Sequence, residues 1–197
     1  MLLHIKKFSE KLLLPLGKKL IKIPANFFTI LGLISSIITF FSFLYQNLLI
    51  IIIFLFITEF FDQLDGVVAR LQGPTKFGAF LDSTLDRIGD FFIFIGVFFG
   101  GYTSIEICII VLLGAFLTSY TRAKIEALGV ISLYGVGLIE RTDRIPILFI
   151  GAIFQFWFHK AIFWTMIILA IGTIFTVIQR MIYAYNKFTI KKQKKLI

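Results

Sequence analysis

Read by its apolar and polar positions, the chain divides into seven segments. Residues 2–20 set Leu2, Leu3, Ile5, Phe8, Leu12, Leu16 and Leu20 at helical spacing with lysines between them. That is the pattern of an amphipathic helix lying on a membrane surface. Pro24 ends it or turns it. Apolar runs then occupy 27–45, 48–69, 79–99, 104–123, 145–158 and 160–184. A helix needs roughly 20 such residues to cross a bilayer, and only the fifth run falls clearly short. Polar breaks separate the runs at Gln46-Asn47, 70–78, Gly100 to Ser104, 124–144 and His159-Lys160. The pattern predicts an all-α integral membrane protein with three parts. These are an N-terminal amphipathic juxtamembrane helix (1–22), a bundle of six transmembrane helices (23–185) and a basic cytoplasmic tail (186–197).

Composition sharpens this picture. Of 197 residues, 58% are hydrophobic and 16% charged, and the mean hydropathy is +0.95. Ordinary soluble domains are roughly half apolar and about a quarter charged, and disorder needs low hydrophobicity with high charge. The net charge of +9 sits at the two ends: residues 1–22 hold six lysines and Glu10, residues 186–197 hold five lysines, and the interior sums to −1. Basic ends on an apolar chain suit an anionic membrane surface. They do not make the groove of a nucleic-acid binder, so no nucleic-acid partner is expected. The second and fourth breaks carry Arg70, Lys76, Lys124, Arg141 and Arg144; the first and third carry no cation and the fifth only Lys160. The positive-inside rule therefore puts both termini and breaks two and four in the cytoplasm, at the cell membrane. Cys108 is the single cysteine, and His4 and His159 are the only histidines. A disulfide within the chain and a Cys- or His-based metal centre are thereby excluded, and any metal must be held by oxygen.

The acids are the anomaly. Asp62, Asp65, Asp82, Asp86 and Asp90 lie at or near the cytoplasmic ends of runs two and three, where an intramembrane charge costs about 2.5–3.5 kcal/mol. Asp62 and Asp65 are spaced i, i+3; Asp82 and Asp86 are spaced i, i+4; each pair shares a helix face. Gly73-Pro74 marks a turn that folds the two helices back antiparallel, so the pairs can face each other. Four carboxylates at one point call for cations. Mg²⁺ or Mn²⁺, hard ions that share oxygen ligands with substrate phosphates, fit best, and two of them can clamp a phosphoryl group. Pairing of Asp62 and Asp65 with Arg70 and Arg87 at the interface would leave the double spacing unexplained. Gly66, Ala69, Gly78 and Ala79 flank the acids and give room for close helix approach or a ligand.

The run Asp62-Gln-Leu-Asp65-Gly66-Val-Val-Ala69-Arg70, then seven residues, then Gly78-Ala-Phe-Leu-Asp82-Ser-Thr-Leu-Asp86 resembles the signature of the CDP-alcohol phosphatidyltransferase family. The connection after Arg70 is one residue shorter than in many members. The resemblance implies a membrane enzyme, commonly a homodimer, that takes a CDP-linked lipid. An acceptor hydroxyl attacks the phosphorus that carries the lipid, and CMP leaves. It implies that Asp62, Asp65, Asp82 and Asp86 hold two divalent ions and that Asp86 also serves as the general base. It places Asn26, Thr29, Gly66, Arg70 and Thr75 against the CDP-lipid. Asn26 and Thr29 come from Pro24-Ala-Asn26-Phe-Phe-Thr29, which resembles the family's Asn-x-x-Thr element. Asp90, one turn beyond Asp86, is expected behind the ligands, orienting Arg87 or a ligand.

Arg122, Arg141 and Arg180, with Lys124 close to the first, lie in or beside the cytoplasmic half. Arginine forks onto phosphate, so they form a second anion pocket for a phosphorylated acceptor. The alternative is snorkelling with pairing to Glu126 and Glu140. Ser-Tyr-x-Arg-Ala-Lys-x-Glu and Gly-Leu-Ile-Glu-Arg-x-x-Arg resemble the inositol-phosphate branch of the family, the synthases of phosphatidylinositol phosphate and its archaeal ether equivalent. This implies myo-inositol 1-phosphate as the phosphorylated polyol acceptor. Glycerol 3-phosphate is the nearest rival; serine or free inositol would make three arginines excessive. From other classes, a proton- or ion-coupled transporter would use intramembrane acids, but such sites sit near the midplane with repeats or broken helices. A prenyltransferase would share the metal clamp but not the nucleotide motif.

Overall fold

The computed structural model describes residues 3–130, 133 and 135–193. These residues form seven helices: α1 (Leu3–Lys19), α2 (Ala25–Leu44), α3 (Leu48–Gln72), α4 (Lys76–Phe99), α5 (Ile105–Ala127), α6 (Arg141–Phe154) and α7 (Ala161–Gln193). There is no strand among the described residues. Each apolar run of the sequence falls on one helix from α2 to α7. Three of these are long and apolar enough to cross a membrane: Ala25–Leu44, Ile105–Ala127 and Ala161–Thr189. Helices α3 and α4 match them in length but carry the acids. Helix α6 has 14 residues, about 21 Å at 1.5 Å per residue, against a hydrocarbon core of roughly 30 Å.

Local chemistry moves several boundaries. Helix α3 runs three residues past its apolar stretch because Gln72 is bolted to the start of α2. Its amide donates to the carbonyls of Ile21 and Ile23, both at 2.7 Å, and accepts the Ala25 N–H at 3.1 Å. Helix α4 starts three residues early because Thr75 caps it, its hydroxyl accepting the Gly78 N–H at 2.9 Å. Helix α6 starts at Arg141 rather than 145, and ends at Phe154 rather than 158. Asp143 accepts the Glu140 N–H at 2.8 Å and closes a capping box, which hydropathy does not register. Helix α7 continues through residue 186, where the sequence suggested the tail begins; residues 194–197 of that tail and residues 1–2 of the N-terminal segment lie outside the described residues.

Helices α3 and α4 pack on α2 rather than on each other. The hairpin expected from Gly73-Pro74 is thus splayed, with α2 along one side of the gap. The α2 face in the gap is small and polar: Ser35, Ser36, Thr39 and Ser42 are buried and donate to the carbonyls four residues back, at 2.7–2.9 Å. That satisfies their hydroxyls without a partner helix. Across from them α4 offers glycines. A methyl group on Gly89 would come within 2.7 Å of Ser36 Oγ, and one on Gly96 within 2.9 Å of the Phe40 Cα. Helices α5 and α6 pack on α7, and α3 against α6 and α4 against α5 join the two groups. Phe43, Leu55, Phe94, Leu148, Met166 and Leu169 form the shared core. Helix α1 lies on α3, with Gly17 against Val67.

Candidate active site

The site forms where α3, α4 and α6 converge. Asp62 of α3 and Asp82 and Asp86 of α4 each present a carboxylate oxygen, and these oxygens lie within 4.8 Å of one another. One turn from Asp62, Asp65 is 5% exposed and lies outside that trio. Two carboxylates at this separation repel by roughly 3–4 kcal/mol at an effective dielectric of about 20. Arg141, at the first turn of α6, answers part of that charge. Its Nη2 is 2.6 Å from Asp62 Oδ1 and also meets Asp86 Oδ1. Arg87 stands 3.8 Å from Asp86 and donates to the Ser83 carbonyl. The three converging carboxylates form an all-oxygen donor set, with Arg141 and Arg87 at its edge. Its chemistry fits a hard divalent ion.

Two cavities open on this cluster. The first, about 420 Å³, is lined by Asn26, Thr29, Asp65, Gly66, Arg70, Thr75, Gly78 and Asp82 among others. All five residues expected against the CDP-lipid border it. The rim is tight at its glycines: a methyl group on Gly78 would come within 2.9 Å of Thr75 Oγ1 and 3.3 Å of Asn26 Oδ1, and one on Gly66 would reach the mobile end of Arg70 at 3.3 Å. These glycines let α2, α3 and α4 bring polar side chains together at one edge.

The second cavity, about 300 Å³, is lined by Asp82, Arg87, Arg122, Glu126, Glu140, Arg141 and Arg180 among others. The three arginines read from the sequence therefore share one cavity. Two of them also pair with the glutamates named in the alternative reading, and Arg180 is buried rather than snorkelling. Arg122 Nε donates to Glu126 at 3.1 Å, and Arg180 Nη2 donates to Glu140 at 3.0 Å. Arg180 further donates to the carbonyls of Val136, at 2.8 Å, and Thr118, fastening the 136–140 segment and α5 to α7. Lys124 does not line the cavity and is exposed; two residues along a helix is a turn of about 200° from Arg122.

Asp90 also departs from expectation. It pairs not with Arg87 but with Arg144 of α6, Nη1 to Oδ2 at 3.1 Å. The sequence reading used Arg144 only as a topological charge, yet it is fully buried. Glu59 was overlooked as well. It lies one turn before Asp62, accepts from Gln63 at 2.8 Å, and borders a small internal cavity of about 40 Å³ with Asp62, Asp86, Asp90 and Arg141. Its i, i+3 spacing from Asp62 was the signal that could have found it.

Comparison with known proteins gives this geometry a context. The model of the CDP-alcohol phosphatidyltransferase family matches residues 22–178. The archaetidylinositol phosphate synthase of Methanothermobacter thermautotrophicus is 37% identical over 172 residues, 85% of this chain and 86% of its own. The phosphatidylinositol phosphate synthase of Mycobacteroides abscessus is 39% identical over 130 residues, 61% of this chain and 58% of its own. The crystal structure of Mycobacterium tuberculosis phosphatidylinositol phosphate synthase with CDP-DAG bound superposes with a TM-score of 0.77 at 28% identity, covering 89% of this chain and 94% of that one. The same enzyme in complex with manganese and citrate gives a TM-score of 0.75 at 29% identity, covering 87% and 88%. With the signature aspartates and most of the chain inside the matched residues 22–178, the protein belongs to the CDP-alcohol phosphatidyltransferase family.

Proposed function

We propose that the protein transfers the phosphatidyl or archaetidyl group of a CDP-linked lipid to a hydroxyl of myo-inositol 1-phosphate and releases CMP. The observation that carries this reading is the position of Asp82. It borders both the cavity with Asn26, Thr29, Gly66, Arg70 and Thr75 and the cavity with Arg122, Arg141 and Arg180. Two substrates seated in the two cavities would meet at the acid cluster, which is what a displacement at phosphorus requires. Two of the relatives are named as an archaetidylinositol phosphate synthase and a phosphatidylinositol phosphate synthase, which supports the acceptor.

In this reading the Arg70 side supports the nucleotide and the three arginines hold the acceptor's phosphate through charge-assisted hydrogen bonds. The attacking hydroxyl oxygen bonds to the phosphorus that carries the lipid, the bond to CMP breaks, and Asp86 takes the hydroxyl proton. Asp62, Asp65, Asp82 and Asp86 would hold Mg²⁺ or Mn²⁺. When bound, the ions neutralise the carboxylates and the diphosphate and polarise the phosphoryl oxygens. The six helices α2 to α7 cross the membrane in this proposal, with the acid cluster at the cytoplasmic end, and the chain works as a homodimer.

The test is CMP release by purified protein with CDP-lipid, Mg²⁺ and one acceptor at a time. Myo-inositol 1-phosphate should give release well above a no-acceptor blank. Turnover with glycerol 3-phosphate and none with myo-inositol 1-phosphate would overturn the acceptor. Silence with every acceptor would overturn the reaction.

A further inference from the structure

Helices α4 and α6 meet through charge. Asp86 and Asp90 stand one turn apart on α4, and Arg141 and Arg144 about one turn apart on α6. They make two rungs: Arg141 to Asp86, and Arg144 to Asp90 at 3.1 Å. The rungs differ in access. The Arg141 side chain is 28% exposed and borders the arginine cavity. The side chains of Arg144 and Asp90 are 1% and 8% exposed, and Arg144 borders neither substrate cavity.

A buried ion pair is a poor device for stability alone, because apolar side chains of similar volume commonly do as well or better. What such a pair adds here is register, since Arg144 of α6 has its charge partner at one position of α4, Asp90. Among the described residues, Asp90 is the acid paired with Arg144, Nη1 to Oδ2. Neutralising Asp90 has a second effect. Arg141 faces Asp62 and Asp86 directly; an unpaired Asp90 would add a third carboxylate pulling it into the bundle, away from the acceptor cavity.

We propose that Arg144 and Asp90 are positioning residues: the buried rung sets α6 against α4 so that Arg141 stays at the boundary between the acid cluster and the acceptor cavity. The inference rests on the proposed transfer reaction and adds to it two residues that touch neither substrate.

The experiment compares wild type, D90N, R144K, R144M and the double variant R144M/D90N in detergent. It reads melting temperature, kcat, and separate KM values for CDP-lipid and myo-inositol 1-phosphate. R144M/D90N removes both charges and should fold. Its acceptor KM should rise at least tenfold while its CDP-lipid KM stays within twofold. R144M should be worse than the double variant, and R144K should recover part of the loss. A folded double variant with wild-type acceptor KM overturns the proposal, as does a parallel rise in both KM values. If none of the variants folds, the pair is a structural element only and the proposal falls. Wild type that releases no CMP with any acceptor is a different result: it removes the reaction itself.

Discussion

Asp82 is the residue on which most of the chemistry converges, since it belongs to the carboxylate trio and borders both cavities. Asp82→Asn keeps its shape and removes its charge. Even residues one step removed from a metal cost 10–100-fold when lost, so CMP release should fall by at least about 100-fold. Melting temperature in detergent should hold, because the amide keeps the size and shape of the carboxylate. Near-normal Mg²⁺-dependent turnover in this variant would remove the cluster from the mechanism. The residues of this cluster were legible in the sequence for a physical reason. Helical periodicity puts residues three and four apart on one face, so Asp62, Asp82 and Asp86 announced a shared surface, while Asp65, read with them, lies outside the trio. The partners of that surface were not legible. Arg144 reaches Asp90 across 54 positions, and Arg180 holds carbonyls of Val136 and Thr118 together with Glu140. No local spacing encodes such contacts. Arg144 and Arg141 look alike in the sequence, and only packing assigns one to a cavity and the other to the interior.

At the level of elements, the gap that holds the site depends on how closely α4 approaches α2. That approach is set by glycines of α4 against the hydroxyl-bearing and Phe40 positions of α2. The two nearest contacts differ in what can give. At Gly89 the obstacle to a methyl group is the Ser36 hydroxyl; at Gly96 it is the Phe40 Cα, which is main chain. Gly96→Ala should therefore cost about 1–3 kcal/mol, the usual range for overpacking, and Gly89→Ala distinctly less. Ser36→Ala should rescue Gly89→Ala and leave Gly96→Ala untouched. Thermal unfolding in detergent measures all four proteins, and equal losses at the two glycines would mean that α2 and α4 do not meet as described. The number of elements could be read from hydropathy, since each apolar run became a helix. Their ends could not. Gln72, Thr75 and Asp143 extend α3, α4 and α6 beyond the apolar stretches, because helix ends are decided by hydrogen bonds to polar side chains, which a hydropathy pattern counts as breaks. The splay of α3 from α4 was also hidden: a Gly-Pro turn reports that two helices reverse, not what lies between them.

For the whole molecule, the open quantity is its orientation in the membrane. The acid cluster, the start of α6 and the 73–75 connection share one end, and that end carries Lys76, Lys124 and Arg141. The opposite ends of α2 and α4 come together through Gln46, whose amide donates to the Gly100 carbonyl at 3.1 Å. That side holds exposed aromatic residues at Tyr45, Trp157 and Trp164. Lysine and arginine favour the cytoplasmic face, whereas tyrosine and tryptophan settle at either interface. Charge therefore predicts a cytoplasmic site, and labelling checks that prediction. Helix α5 offers a direct test, because its 23 residues span about 35 Å at 1.5 Å per residue and link the two ends. Ser104, its N-cap, and Lys124, in its last turn, are both exposed. The native Cys108 is free but fully buried, so it contributes little background to thiol labelling. Ser104→Cys should react with a membrane-impermeant maleimide on intact cells, and Lys124→Cys only after permeabilisation. The reverse pattern would turn the site outward, away from cytoplasmic CDP-lipid and acceptor. Labelling of both positions on intact cells would mean that α5 does not cross the membrane.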